Sequence, residues 1–163
     1  SGANRAEIII VTKCPPTLSL DEKNRIKTKL HLNPLQQLFF TTIKYDEAVF
    51  SADAEMPVSV IQKTDKVLLA GIAKPEPFFK HLKKEQDEFL KFPDHHYFSD
   101  SEIAEIKAKA NGKLIITTEK DYVRIAAQFP TDQLFYLPIQ SFFLENRTEF
   151  DATILQCIQG FSK

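Results

Sequence analysis

Apolar residues in this chain gather into short, nearly unbroken blocks instead of alternating with polar ones. Ile8-Ile9-Ile10-Val11 lies within Glu7–Lys13 and is closed by Cys14-Pro15-Pro16. Similar blocks run through Leu38–Tyr45, Lys66–Gly71, Glu88–Phe92, Lys113–Thr118 and Gln133–Ile139. Continuous apolarity at strand length predicts strands buried on both faces, as parallel sheets bury them. Pro138 lacks an N–H, which predicts an edge position for the last of these strands.

Helix signals separate the blocks. Ser19-Leu20-Asp21-Glu22 and Ser99-Asp100-Ser101-Glu102 both have the capping-box spacing of a hydroxyl three residues before a glutamate. They predict a helix over about 20–31, stopped by Asn33-Pro34, and another from about 99 to Asn111-Gly112. Further helices are expected over about 76–88, with proline in the first turn, from Glu119 to Ala127, and from an Asp151 cap to Gly160. Phe78, Phe79 and Leu82 share one helix face and are expected in the core, leaving Lys80, His81, Lys83 and Lys84 as a basic face. Residues 51–66 give the weakest pattern, a loop or hinge with a short strand candidate at Val58–Ile61. Strands alternating with helices predict an α/β fold with a largely parallel sheet and flanking helices. Ligands of such sheets sit at the carboxyl ends of the strands. That directs attention to the residues after Lys13, Gly71 and Thr118, and to Asp94-His95 after the 88–92 strand.

Composition narrows the field. A length of 163 residues fits one α/β domain over 1–163, which buries roughly 70% of its unfolded surface. With 43% hydrophobic and 26% charged residues the chain is globular, and its net charge of −1 gives no support for a nucleic-acid partner. The longest apolar run, Val67–Ala73, is far short of the ~20 residues that span a bilayer. The four glycines are Gly2, Gly71, Gly112 and Gly160. Neither a G-x-x-x-x-G-K loop nor a G-x-G-x-x-G loop can be written with them, so this chain carries no phosphate-cradling glycine loop of its own. Cys14 and Cys157 lie far apart in sequence and are read as small buried hydrophobes or as a pair meeting in space. The only methionine is Met56, which fits a processed chain or a piece of something longer.

Two clusters could carry chemistry. In Asp94-His95-His96 a histidine can shuttle protons near neutral pH, and the carboxylate can fix its tautomer. Neighbouring side chains should diverge, so one histidine at most would face a cleft. The alternative is a surface loop with a capping aspartate. In Thr117-Thr118-Glu119-Lys120-Asp121, Thr118 or Glu119 suits a helix cap and Asp121 its first turn. Lys120 opposes the helix dipole there and is expected to face an anion or a carboxylate, unless the cluster is only caps and solvated charges.

Read together, Arg5–Lys13, Leu69–Pro75 with Phe78-Phe79, Phe92–His96 and Thr117–Asp121 resemble the C-terminal half of tetraacyldisaccharide 4′-kinase, the lipid A kinase family of Gram-negative bacteria. The motifs stand in the family's order and spacing, from about Ser1 to Ile139, and Thr12-Lys13-Cys14-Pro15 resembles Bacteroidetes-type members. The resemblance implies the C-terminal lobe of a two-lobed P-loop kinase. It also implies transfer of the ATP γ-phosphate to the 4′-hydroxyl of tetraacyldisaccharide 1-phosphate. ATP and Mg²⁺ would be held mainly by an N-terminal P-loop lobe of the same protein, with a lipid substrate and a membrane surface as further partners. The place implied is the cytoplasmic face of the inner membrane, with this portion alone soluble and inactive. Asp94 and His95 map onto the family's Asp-His, whose histidine supports an aspartate base from the other half. His96 does not map, since other members carry Gln there. Thr118, Glu119, Lys120 and Asp121 map onto its Thr-Glu-Lys-Asp, near substrate or nucleotide, and Lys13 is a further candidate there. No metal ligand is implied in this half. Lys74 departs from an Asn common before the proline.

Two other readings compete. An Asp-His-His phosphoesterase would need further metal-binding acids, of which Asp53-Ala54-Glu55 is the nearest upstream pair, and a Gly/His-rich loop that is missing after Thr118. A non-catalytic α/β interaction domain would carry the same clusters as surface.

Overall fold

The computed structural model describes residues 5–160. In chain order its elements are β1 (Ile8–Val11), α1 (Leu20–Leu30), β2 (Gln37–Tyr45), β3 (Ala48–Phe50), β4 (Glu55–Pro57) and α2 (Val58–Ile61). There follow β5 (Lys66–Ala70), α3 (Glu76–Leu82), β6 (Glu88–Lys91), α4 (Asp100–Ala110), β7 (Leu114–Thr118) and α5 (Glu119–Ile125). Then come β8 (Leu134–Leu137), β9 (Ile139–Phe143) and α6 (Arg147–Gly160). Where length led to one domain, the chain divides into two compact units: residues up to Lys44 with those from Gln140 onward, and Tyr45–Ile139.

The first unit has a three-stranded sheet in the order β1-β2-β9, with β1 parallel to β2. β1 is an outer strand, and that is why its apolar run is only half-buried and Ile10 is exposed. Ser19 caps α1 in a complete capping box, and His31 ends the helix in the left-handed conformation. Phe39 is buried in edge contact with Phe143 and Phe150. α6 begins at Arg147, ahead of the expected Asp151 cap; Asp151 lies one turn inside and pairs with Arg147 at 3.3 Å. Cys14 is buried, Cys157 half-buried, and both are free thiols.

The second unit carries a six-stranded sheet in the order β4-β3-β8-β7-β5-β6. The strands β8, β7, β5 and β6 run parallel, and the antiparallel β3–β4 pair extends the sheet beyond β8. β5 is buried throughout and separates two layers of core. On one side lie Phe78, Phe79 and Leu82 of α3 with Val58 and Ile61 of α2. On the other lie Ile103, Ile106 and Ala110 of α4 with Ile125 and Phe129.

Three expectations change here. Val58–Ile61 is a helix, not a strand, because it buries Val58 and Ile61 on one face. Residues 51–66, the weakest pattern in the sequence, hold β4 and α2 within this unit. α3 stops at Leu82, short of Glu88, because the chain turns out at Lys83 and the Asp87 carboxylate takes the Lys84 N–H at 2.5 Å. β8 is not an edge strand; it lies between β3 and β7, and Pro138 falls just after its end. Of the basic face, His81 stacks on Tyr45 at 4.6 Å and Lys84 pairs with Asp65 at 2.5 Å, leaving Lys80 and Lys83 exposed. Among the described residues no helix is long and apolar enough to cross a membrane.

Candidate functional site at the carboxyl edge of the parallel sheet

Because β5, β6 and β7 are parallel, their carboxyl ends bring three loops to one edge: the one opening at Gly71, the turn Phe92–His96, and the β7–α5 junction. Thr118 makes the junction. It ends β7, and its hydroxyl caps α5 by accepting the Asp121 N–H at 3.2 Å. The same hydroxyl donates to Asp121 Oδ2 at 2.7 Å, and that oxygen also accepts the Gly71 N–H at 2.8 Å. Asp121 is fully buried and thus ties β7 and α5 to the end of β5. Among the described residues its Oδ1 has no hydrogen-bond donor, and Arg124 Nη1 stands 3.8 Å away. A Cβ on Gly71 would lie 2.9 Å from Asp121 Oδ1 and 3.4 Å from the Pro93 carbonyl oxygen. The glycine is what allows the three segments to approach so closely.

The turn after β6 is held from both ends. Phe92 N–H donates to the Ala70 carbonyl at 3.0 Å, and His96 N–H donates to Pro93 O at 3.2 Å. His95 has φ 61, a left-handed conformation uncommon for a residue with a side chain. Its N–H is taken by Asp94 Oδ1 at 3.0 Å, which supports that conformation. The His95 side chain is 77% exposed, with Nε2 3.8 Å from Asp94 Oδ2. His96 goes the other way. Its ring stacks on Phe92 and meets the edge of Phe98, both at 5.0 Å, and its Nε2 lies 2.9 Å from Glu102 Oε1. The Ser99 N–H and hydroxyl, then His96, hold the Glu102 carboxyl below its ordinary range. The two histidines diverge as the sequence implied, and only His95 is presented to solvent.

Lys120 faces a carboxylate. Its Nζ donates to Asp94 Oδ1, and this bond holds the Asp94 carboxyl below the usual carboxylate range. Glu119, the first residue of α5, is exposed. Asp94, His95, Thr118, Glu119, Lys120 and Asp121 all belong to the second unit. Lys13 belongs to the first, exposed just beyond β1 with φ 58. Asp94, His95 and His96 do not converge on a point, and among the described residues no group of three or more His, Cys, Asp or Glu is placed to hold a metal. Sequence reasoning missed Gly71 and Glu102 as site residues. A glycine closing an apolar strand is a signal of close backbone approach. Glu102 was legible only as a helix cap.

The edge therefore presents an exposed imidazole on a backbone turn that a lysine–aspartate pair ties to α5, the helix that the buried Asp121 anchors to β5 and β7. It is suited to handling a proton on a group bound against it. A family model described as tetraacyldisaccharide-1-P 4'-kinase matches residues 1–159. A tetraacyldisaccharide 4'-kinase of Flavobacterium johnsoniae is 52% identical over 159 residues, which is 98% of this chain and 47% of that protein. One from Bacteroides thetaiotaomicron is 36% identical over 171 residues, covering 91% of this chain and 45% of that protein. The chain spans about half the length of the curated relatives it matches. Among solved structures, LpxK from Aquifex aeolicus in complex with ATP matches with a TM-score of 0.56 at 19% identity, over 91% of this chain and 51% of that one. At that identity the likeness speaks for the α/β fold alone.

Proposed function

The chain belongs to the tetraacyldisaccharide-1-P 4'-kinase family, and from that premise we propose that it is the C-terminal half of a kinase. That kinase moves the γ-phosphate of ATP to the 4′-hydroxyl of tetraacyldisaccharide 1-phosphate. The observation that carries this reading is the Asp94-His95 turn, held at the carboxyl edge of a parallel sheet, in a chain matched by the family over 1–159.

Phosphoryl transfer needs positioning and charge stabilisation more than covalent chemistry. His95 would stand over the reacting hydroxyl and support a base from the N-terminal half in accepting its proton. Asp94, beside the ring and bonded to the His95 N–H, would keep the imidazole oriented. Lys13, Thr118 and Glu119 are assigned to the neighbourhood of substrate or nucleotide, and Asp121 to holding the edge together. With no phosphate-cradling glycine loop in the sequence and no converging acids among the described residues, the phosphates and Mg²⁺ are assigned to the N-terminal P-loop lobe. Mg²⁺ would neutralise phosphate charge there. An acylated substrate calls for work at a membrane surface, and a peripheral place at the cytoplasmic face of the inner membrane, where ATP is supplied, is the localisation this reading carries.

The test is transfer of label from γ-labelled ATP to tetraacyldisaccharide 1-phosphate, run with the full-length protein and with this chain alone. Transfer is expected from the first and none from the second, and calorimetry should find no tight Mg-ATP binding to this chain by itself. Failure of the full-length protein to label the disaccharide, or tight ATP binding by the isolated chain, would overturn the reading.

A further inference from the structure

A lysine at a strand-to-helix junction of a phosphotransferase invites one role, a cation for phosphate. The geometry points elsewhere. We propose that Lys120 is a positioning residue: its ammonium is committed to the Asp94 carboxylate, and through it holds the turn that displays His95. This deepens the kinase reading and rests on it for the role of His95.

Three observations converge. Lys120 Nζ and the His95 N–H share one acceptor, Asp94 Oδ1. That oxygen therefore joins the cation to the backbone of the one residue in the turn with positive φ. The base of Lys120 is also fixed, since its chain neighbour Asp121 is fully buried and bonded to Gly71 and Thr118. The side chain is thus anchored at both ends and is only 34% exposed. The other charges at this place are otherwise engaged. On the turn and α4, His96 is bonded to Glu102. On α5, Arg124 donates to the His96 carbonyl and stands by Asp121. Among the described residues two cationic groups face Asp94: Lys120, bonded to Oδ1, and the His95 ring, whose Nε2 stands 3.8 Å from Oδ2 and remains in every Lys120 variant.

The experiment has two arms. In this chain, the His95 amide resonance followed by NMR through the acid range reports ionisation of Asp94, its acceptor. Removing the cation in Lys120→Met should move that transition up towards the ordinary aspartate value of about 3.9, while Lys120→Arg should leave it low. An unmoved transition in Lys120→Met would overturn the proposal. Preserved amide dispersion confirms that each variant is folded.

In the full-length kinase, Lys120→Met should lower kcat by roughly 10–100-fold with KM for ATP within about twofold. Lys120→Arg should recover most of that loss. Asp94→Asn with Lys120→Met should be no worse than Asp94→Asn alone, because both act through one bond. A raised KM for ATP, or a loss that adds to that of Asp94→Asn, would make Lys120 a direct phosphate ligand and overturn the proposal. The two readings fail separately. His95→Ala with full kcat removes the role of His95, whereas the NMR arm judges the Lys120–Asp94–His95 linkage without any activity.

Discussion

At the scale of single residues, the edge depends on one missing Cβ. Gly71 lies where its own N–H, the Asp121 carboxylate and the Pro93 carbonyl crowd together. Gly71→Ala would press a methyl group to 2.9 Å from Oδ1 of the buried Asp121 carboxylate, whose other oxygen is held by the Gly71 N–H and the Thr118 hydroxyl. Overpacking of this kind costs about 1–3 kcal/mol, and a urea melt should show the midpoint falling by a matching amount. Little of this was readable beforehand, since Gly71 and Asp121 are distant in sequence and only folding brings them together. The Lys120–Asp94 pair was partly legible: a cation at a helix start needs a counter-charge, though the pattern could not say which acid. The pair also carries a pH signature. A carboxylate held below its ordinary range stabilises the fold above that range and loses the contribution as pH falls through the depressed value. The Asp94 contribution should therefore be lost below the ordinary aspartate range, and at higher pH in Lys120→Met than in the parent.

At the scale of elements, local signals were strong wherever the chain itself completes a hydrogen bond. Both capping boxes formed, with Ser19 and Ser99 bonded to Glu22 and Glu102. Val58-Ser-Val-Ile61 reads as a strand by β-branching, yet it is a helical turn because tertiary burial outweighs a weak local preference. β3, the neighbour that makes β8 internal, is too short to leave a periodic trace. The start of β5 holds a feature no pattern announced. Lys66 Nζ and Asp87 Oδ2 pair at 2.7 Å with both side chains fully buried. The lysine also donates to the Thr64 carbonyl, and the aspartate accepts the Lys66 and Lys84 N–H groups. Breaking such a pair from one side leaves a buried charge, at a cost of about 3–5 kcal/mol. Lys66→Met should lower stability by that order in denaturant titration. Lys66→Met with Asp87→Leu should recover a substantial part, because no charge is then stranded.

At the scale of the whole molecule, parallel pairing made the site legible. Once the strands run the same way, every motif that follows one reaches the same edge, which is how segments as separate as 71, 92–96 and 118–121 come to share it. The division into two units was not legible, because both boundaries, Lys44–Tyr45 and Ile139–Gln140, fall within strands and no linker composition marks them. The central claim is that this edge contributes the histidine that assists phosphoryl transfer, and that His96 beside it serves the fold. The structure separates the two, one exposed on its turn and the other stacked on Phe92 and bonded to Glu102. The most direct measurement is steady-state kinetics of His95→Ala and His96→Ala in the full-length kinase, with circular dichroism to verify folding. His95→Ala is expected to lower kcat by about 10²–10⁴-fold with little change in KM for ATP, and His96→Ala to cost roughly tenfold or less. Near-full kcat in His95→Ala, or a greater loss in His96→Ala, would contradict the account.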